Sequence, residues 1–171
     1  MKMNGIYSRK LRRYVFAAIA LVVAGFLSVK IKDNIDARNP EVSLPIINVT
    51  IGYTSIPKCP RAGYEWSFGT KFVRSPYVSS IDVPLTAYEA MPDAPILIGF
   101  TMPHTQLTLY ESDGIKYDNG VISSGNFKEK RYSMNTPKED GIYVYKVEAQ
   151  FDRGSIVHYF ALNVTSAHSF I

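Results

Sequence analysis

The chain has 171 residues, 46% hydrophobic and 20% charged, a composition that is typical of a folded protein and excludes a disordered one. Its net charge of +4 is unevenly distributed, because the first 32 residues hold seven basic and no acidic residues, which leaves 12 basic and 15 acidic for the remainder. The remainder is therefore mildly acidic and lacks the broad basic surface that nucleic-acid binding needs.

An uncharged run lies near the N-terminus, at residues 14–29, and reads "YVFAAIALVVAGFLSV". It has no polar face, and Tyr14 and the lysines after the run extend its reach to the length of a membrane span. The basic residues within 1–13 stay in the cytoplasm by the positive-inside rule. The sequence therefore predicts a transmembrane helix with the C-terminal part of the chain outside.

A cleaved signal peptide is the alternative to an anchor. Signal peptidase prefers small residues at both positions of its site, and the end of the run, "GFLSVKIK", offers no good match. No cysteine follows closely, which excludes a lipoprotein anchor. The sequence favours an uncleaved signal anchor, followed by a polar stalk or linker over residues 30–45 that ends in proline.

Apolar residues then alternate with other residues in several short segments of the region 46–165, and turn signals separate these segments. The segments are "IINVTIG", "APILIGF", "QLTLYE", "GIYVYKVEAQF" and "IVHYFALNV". This spacing predicts an all-β domain of the sandwich or small-barrel type. Residues 166–171 are predicted to be a tail.

Tyr143 narrows the fold class, because it follows Asp140-Gly141 at the start of a long predicted strand. In immunoglobulin-like sandwiches, a tyrosine at this place turns its hydroxyl back onto the backbone of the preceding loop. We predict that Tyr143 makes this bond with a buried ring and that residues 142–164 form the last hairpin. The expected fold is an immunoglobulin-like antiparallel β-sandwich preceded by one N-terminal transmembrane helix.

The stretch "PKEDGIYVYKVEAQFDRGSIVHYFALNV", with "GYEWSF" upstream, resembles a group of small extracytoplasmic domains of Gram-positive bacteria. They occur as lipoproteins or membrane-anchored proteins, and the match covers about the last 125 residues. Such domains often carry a cysteine just before the tryptophan, where this chain has Glu65, and its one cysteine is Cys59. The resemblance implies an immunoglobulin-like fold and a cell-envelope location and says nothing about a ligand, and a disulfide role is not carried over to this chain.

No catalytic motif is visible in the sequence. A nucleophile needs a base beside it and a group that orients the base, and the three histidines, His104, His158 and His168, have no such neighbours in sequence. We therefore expect the protein to have no enzymatic activity and no cofactor. Because the chain has one cysteine, Cys59 can pair only with another chain.

Metal binding is predicted to be absent as well. Oxygen ligands for calcium do stand in two adjacent predicted loops, but their spacing is not that of a known calcium loop, and turn chemistry explains them better. These residues are Glu111, Asp113, Asp118 and Asn119.

Aromatic and basic residues interleave between residues 53 and 80, a segment that its proline, glycine and serine content predicts to be a long loop. Rings combined with positive charge suit a polyanionic or carbohydrate wall polymer, or a protein partner. Trp66 is predicted to anchor the core, with a role as a ligand platform as the alternative. The candidate binding surface comprises Tyr53, Lys58, Arg61, Tyr64, Lys71, Arg74 and Tyr77.

The sequence as a whole predicts a membrane-anchored extracytoplasmic binding module without catalytic activity. Its expected partner is an unknown envelope protein or a wall polymer. One alternative is a protease inhibitor that presents the segment 53–80 as a loop. The other is an accessory subunit of an envelope sensor complex, in which small residues of the anchor, such as Ala20 and Ala24, pack against a partner helix.

Overall fold

The structure, a computed structural model, describes residues 4–111, 115–116, 121–122 and 131–166. The chain forms two compact units. The first consists of Met1–Ser43 and Phe68–Lys71, and the second consists of Leu44–Ser67 and Phe72–Ile171.

Helix α1 (Asn4–Arg38) dominates the first unit, and the short helix α2 (Pro40–Ser43) follows it. The stretch Leu11–Arg38 of α1 is long and apolar enough to cross a membrane, and it contains the predicted span. The segment 30–45, predicted as a polar linker, continues α1 through Arg38 and includes α2. The physical reason is that the first proline of the chain is Pro40, so that nothing before it removes a helical hydrogen bond.

The second unit is built from β-strands, and the described residues form twelve of them. They are β1 (Ile47–Ile51), β2 (Thr54–Ser55), β3 (Arg61–Phe68), β4 (Lys71–Ser75), β5 (Ala87–Ala90), β6 (Pro95–Phe100), β7 (Gln106–Glu111), β8 (Ile115–Lys116), β9 (Val121–Ile122), β10 (Tyr132–Asn135), β11 (Gly141–Phe151) and β12 (Gly154–Val164).

The strands form two mostly antiparallel sheets. One has the order β2-β1-β6-β10-β9, and the other has the order β4-β3-β12-β11-β7-β8, with β5 added to β12 in parallel. The predicted final hairpin is confirmed, since β11 pairs with β12 over their whole length, from Gly141↔Val164 to Phe151↔Gly154. The chain crosses between the sheets several times. For example, it passes from β6 of the first sheet to β7 and β8 of the second, and then back to β9 and β10 of the first.

The two sheets share one hydrophobic core cluster. The first sheet contributes alternate residues of β1, β6 and β10, and the second contributes alternate residues of β7, β11 and β12. This is the pattern expected when each strand buries one face. Of the residues that the sequence places on these faces, Phe100 and Tyr143 are only partly buried. The predicted faces are confirmed by the burial of Ile47, Val49, Ile51, Ile96, Ile98, Leu107, Leu109, Tyr145, Val147, Phe160, Leu162 and Val164.

Strand β12 is buried on both faces. Its residues Val157 and Tyr159 point away from the shared core and form a second, smaller cluster with Ala62 and Val83. The second cluster exists because the chain after β4 returns across this face of the sheet. Gly63 permits the close approach, since a Cβ on it would lie 2.6 Å from the ring of Tyr77.

The segment 53–80, predicted as a long loop, is instead mostly β2, β3 and β4. Its prolines and glycines do mark turns, but they lie between the strands. Gly69, with a φ of 61°, lies in the two-residue connection between β3 and β4. In β3 the alternate residues Ala62, Tyr64, Trp66 and Phe68 are buried, and the strand shows a register shift opposite Val157 and His158.

Candidate functional site

The structure divides the predicted binding surface among several elements. Arg61 and Tyr64 come together, with the guanidinium carbon 5.9 Å from the ring centroid, but Tyr64 is buried. Tyr64 pairs in register with Ile156 of β12, whose side chain is also buried. Arg61 is half-buried, and one of its terminal nitrogens lies 3.5 Å from the carbonyl oxygen of Pro45. Tyr64 therefore belongs to the core, not to a binding surface.

Trp66 is a core residue, as the favoured sequence interpretation predicted. Its side chain is 1% exposed, and its ring meets the ring of Phe151 edge to face with the centroids 5.3 Å apart. Phe151 in turn contacts Phe100, 5.3 Å away between centroids, and His104, 6.4 Å away. Trp66 is therefore one member of an aromatic cluster, and the ligand-platform alternative is wrong.

A histidine and the cysteine meet near this cluster. Nδ1 of His158 donates a hydrogen bond of 3.0 Å to the backbone carbonyl of Cys59, which fixes the proton on Nδ1. Burial lowers the pKa of His158 to about 4, and burial raises the pKa of Cys59 to about 12. Both side chains are therefore neutral near pH 7. The bond uses the cysteine carbonyl and not its thiol, and this is not the geometry of an activated nucleophile.

The exposed candidates on strand β4 lie at the edge of the larger sheet. Among the described strands, β4 pairs only with β3, so its other edge is open. Arg74 is exposed, and Phe72, two residues earlier, is 64% exposed. Lys71, at the start of the strand, belongs to the helical unit, where its ammonium group donates a hydrogen bond to Asn34 Oδ1.

Two further candidates are Tyr77, beside the second, smaller cluster, and Lys58, near β5. The hydroxyl of Tyr77 lies 2.8 Å from Oγ of Ser155, and its ring covers Gly63, so that Tyr77 is fixed in place although it is half exposed. Lys58 lies in the connection between β2 and β3 with an exposed side chain. Its backbone carbonyl accepts a hydrogen bond of 3.3 Å from the hydroxyl of Tyr88.

Tyr53 is the candidate that adjoins a cleft. It lies in the turn between β1 and β2 with its side chain fully exposed. The cleft has a volume of about 350 Å³, which is within the usual range of small-ligand sites. Its lining includes Ile51, Tyr53, Thr54, Glu89, Met91 and Ala94.

The wall of the cleft opposite Tyr53 is held by buried hydrogen bonds. Thr136 is buried, and its hydroxyl donates to the carbonyl of Met91 at 2.6 Å and accepts from the N–H of Ala94 at 2.8 Å. Asp93 between them has a φ of 57°, and its carboxylate accepts a bond of 3.0 Å from the amide of Asn135. This loop is therefore fixed from β10 before any ligand arrives.

Sequence reasoning missed Glu89 and Met91. Both stand in "YEAMPDAP", where neither the alternation nor a motif distinguishes them. Glu89 reaches the cleft because β5 adds in parallel to β12, where Asn163 pairs with Glu89. The amide of Asn163 donates to Glu89 Oε1 at 2.9 Å. This pairing joins residues 74 positions apart, and only the fold brings them together.

Some predicted residues lie outside the described residues. These are His168 and three of the four oxygen ligands considered for calcium, Asp113, Asp118 and Asn119. The remaining ligand, Glu111, ends β7. Within the part of the chain that the structure describes, no three His, Cys, Asp or Glu side chains come together as a metal site would require.

The chain was also compared with known proteins, and no protein-family model, curated protein or solved structure matches it. The resemblance of its C-terminal hairpin to extracytoplasmic domains of Gram-positive bacteria therefore stays a prediction. The functional conclusion depends on the geometry of β4 and of the cleft.

Proposed function

We propose that the protein is a membrane-anchored binding module, in which helix α1 holds an immunoglobulin-like β-sandwich outside the membrane. The sandwich binds a protein partner of the cell envelope through the open edge of strand β4. It acts by binding and not by catalysis. The single observation that carries this proposal is the exposed aromatic ring of Phe72 beside a cation, Arg74, on an unpaired strand edge.

An open edge supports a protein partner because it presents a row of backbone N–H and C=O groups that a second strand can pair with. Charged residues alone would protect such an edge against pairing, but a large exposed ring beside them does not serve that purpose. The apolar exposure continues after the strand, where Val78 and Ile81 are also exposed. Large apolar side chains exposed on and after an edge strand are typical of an interaction surface.

Two observations support the immunoglobulin-like fold. Two mostly antiparallel sheets share one core cluster, and Tyr143 bonds back onto the preceding loop as in a tyrosine corner. The orientation is supported by the basic residues that precede the apolar part of α1, since positive charge at that end of a span favours the cytoplasm.

The alternatives have less support. A carbohydrate wall polymer would use Lys71 and Arg74 but would leave the backbone edge of β4 unpaired. The protease-inhibitor hypothesis depended on a long loop at 53–80, and that segment is mostly strands β2, β3 and β4. A sensor subunit would use the small residues of α1, and no observation on the described residues favours that surface over β4.

Photocrosslinking in the native membrane tests the proposed edge. A photoreactive amino acid replaces Phe72 in the full-length chain, and a matched control carries it at Ile142, which is 71% exposed on β11. We expect a discrete heavier adduct with one envelope protein from position 72 and none from position 142. No adduct at 72, or the same adducts from both positions, would overturn the proposed edge.

A second arm separates a protein partner from a wall polymer. Phe72→Asp should abolish the adduct formed from a crosslinker at Arg74, because the ring is expected to contact the partner directly. Lys71→Gln should leave this adduct in place, because the proposed partner pairs with the backbone and contacts the ring. If Lys71→Gln abolishes the adduct while Phe72→Asp does not, electrostatic binding of a polyanion replaces strand pairing as the explanation.

A further inference from the structure

We propose that the cleft beside Tyr53 is a second binding site, and that it takes an ammonium group carried on a short apolar chain. The cleft is lined by the β1–β2 turn on one side and by β5 and the loop after it on the other. Its chemistry differs from that of β4, since it contains a carboxylate and no basic residue. The inference therefore does not depend on the partner proposed for β4.

The carboxylate of Glu89 supplies the charge that an ammonium group requires. Oε1 is held by the amide of Asn163 at 2.9 Å, and no ion pair of Glu89 with a basic side chain is found among the described residues. The amide of Asn163 orients the carboxylate and brings no charge of its own. The carboxylate can therefore accept a charge-assisted hydrogen bond from an N⁺–H donor.

The ring of Tyr53 supplies a second attraction for a cation. Its side chain is fully exposed and lines the cleft, so that its π face is available to a ligand. Cations are attracted to the face of an aromatic ring by its quadrupole, and the attraction is modest at an exposed ring such as this one. A ring and a carboxylate together select a cation over a neutral molecule of the same shape.

The rest of the lining is apolar and fits a short carbon chain. Ile51, Ala90 and Ala94 line the cleft together with Met91, whose thioether is flexible and half exposed. Methionine adapts to ligands of irregular shape. The loop that carries Met91 is already fixed by Thr136, so that little ordering entropy opposes binding.

The same chemistry occurs in a free alkyl amine and in the side chain of a lysine within a peptide. Two probes distinguish these sources: butylammonium, and Nα-acetyl-lysine methylamide, which adds the flanking peptide groups. 1-Butanol is the neutral control of the same chain length. Tighter binding of the lysine probe than of butylammonium assigns the site to peptides, and the reverse assigns it to free amines.

The test uses the full-length chain in a maltoside detergent, which contains no ammonium group, with ¹³C-labelled methionine methyls. Met91 reports on the cleft, and Met102, which does not line it, is the internal reference. We expect a saturable shift of the Met91 signal with butylammonium, no shift with 1-butanol at the same concentrations, and a constant Met102 signal.

Two variants and one control decide between charge and apolar contact. Glu89→Gln keeps an oxygen for Asn163 but removes the charge, and it should raise the dissociation constant about tenfold, the effect of losing a charge-assisted bond. Tyr53→Leu should raise it several-fold. Glu65→Gln, an exposed carboxylate on β3 outside the cleft, should leave it unchanged.

Three results would overturn the inference. The first is the absence of any Met91 shift with both ammonium probes. The second is an equal shift with 1-butanol, which would make the cleft a purely apolar site. The third is an unchanged dissociation constant in Glu89→Gln, which would remove the carboxylate from the recognition.

Discussion

The hydroxyl of Tyr143 donates a hydrogen bond of 3.0 Å to the backbone carbonyl of Glu139, four residues earlier. The bond ties the end of the β10–β11 connection to the first residues of β11, as in a tyrosine corner. The ring is half-buried against the shared core, not fully buried as the sequence predicted. The reason is that, among the described strands, β7 pairs with β11 only from Tyr145 to Gln150, and the start of β11 pairs with β12 alone.

Removal of the Tyr143 hydroxyl should have a modest effect and removal of the ring a larger one. Tyr143→Phe should lower the free energy of unfolding by about 1 kcal/mol, the typical net value of one hydrogen bond. Tyr143→Ala should lower it by roughly 2 to 3 kcal/mol, below the range for a fully buried ring because this ring is half exposed. Urea unfolding followed by Trp66 fluorescence measures the free energy of unfolding of both variants. The control is Ile142→Ala, one residue away, which should change this free energy by less than about 0.5 kcal/mol.

Trp66 should be among the most sensitive positions of the chain. Trp66→Ala removes a ring that is 1% exposed and packs on Phe151. It should lower the free energy of unfolding by roughly 3 to 5 kcal/mol. Circular dichroism during urea unfolding measures this, since the variant has no tryptophan. The control is Tyr53→Ala, a fully exposed ring, and an equal loss in both variants would contradict the burial of Trp66.

The stability of the fold should fall at acidic pH because of His158. Burial lowers the pKa of His158 from 6.5 to about 4 in the folded state, so that the folded protein favours the neutral ring. The contribution of the neutral His158 to the free energy of unfolding is fully present above pH 6.5 and is lost as the pH falls through 4. The total loss is roughly 3 kcal/mol. In His158→Leu, the slope of unfolding free energy against pH between these values should be smaller. An unchanged slope would mean that His158 is accessible to protons without unfolding.

Cys59 should react slowly with thiol reagents in the folded protein. Burial raises the pKa of its thiol from 9.0 to about 12, and the thiolate, which is the reactive form, is then about 1000-fold scarcer at pH 8. Alkylation by iodoacetamide should therefore be slow in buffer and fast in urea. Rapid alkylation in buffer, or a disulfide-linked dimer in the membrane without oxidant, would contradict the burial of this thiol.

The strands that the sequence predicted are those in which apolar residues alternate without interruption. β1, β6, β7 and β11 are of this kind, and a strand with one buried face leaves that pattern directly in the sequence. β12 is buried on both faces, and it was predicted from the apolar residues on one of them. β3 was missed although its buried residues Ala62, Tyr64, Trp66 and Phe68 alternate, because the proline, glycine and serine residues of the segment were read as a loop. The register shift near Ala62 was not predicted either. A bulge is set by pairing with another strand, and its position is not readable from one segment.

The residues of the cleft were predictable only in part. Tyr53 was identified as one of the aromatic residues that interleave with basic residues between residues 53 and 80. Glu89 was not, because its place depends on the parallel pairing of β5 with β12. Strand β5 has four residues and no clear alternation, and parallel pairing depends on contacts that are distant in sequence.

The central claim is that α1 anchors the chain in the membrane with the β-strands outside, and cysteine labelling tests it directly. In a Cys59→Ala background, Tyr53→Cys and Ser8→Cys place a single thiol after and before the apolar part of α1. Intact, wall-stripped cells are treated with a membrane-impermeant maleimide, before and after permeabilisation. The account predicts labelling of Tyr53→Cys in intact cells and of Ser8→Cys only after permeabilisation, with both in the membrane fraction. The opposite labelling pattern, or recovery of the Tyr53→Cys chain in the cytosolic fraction, would contradict it.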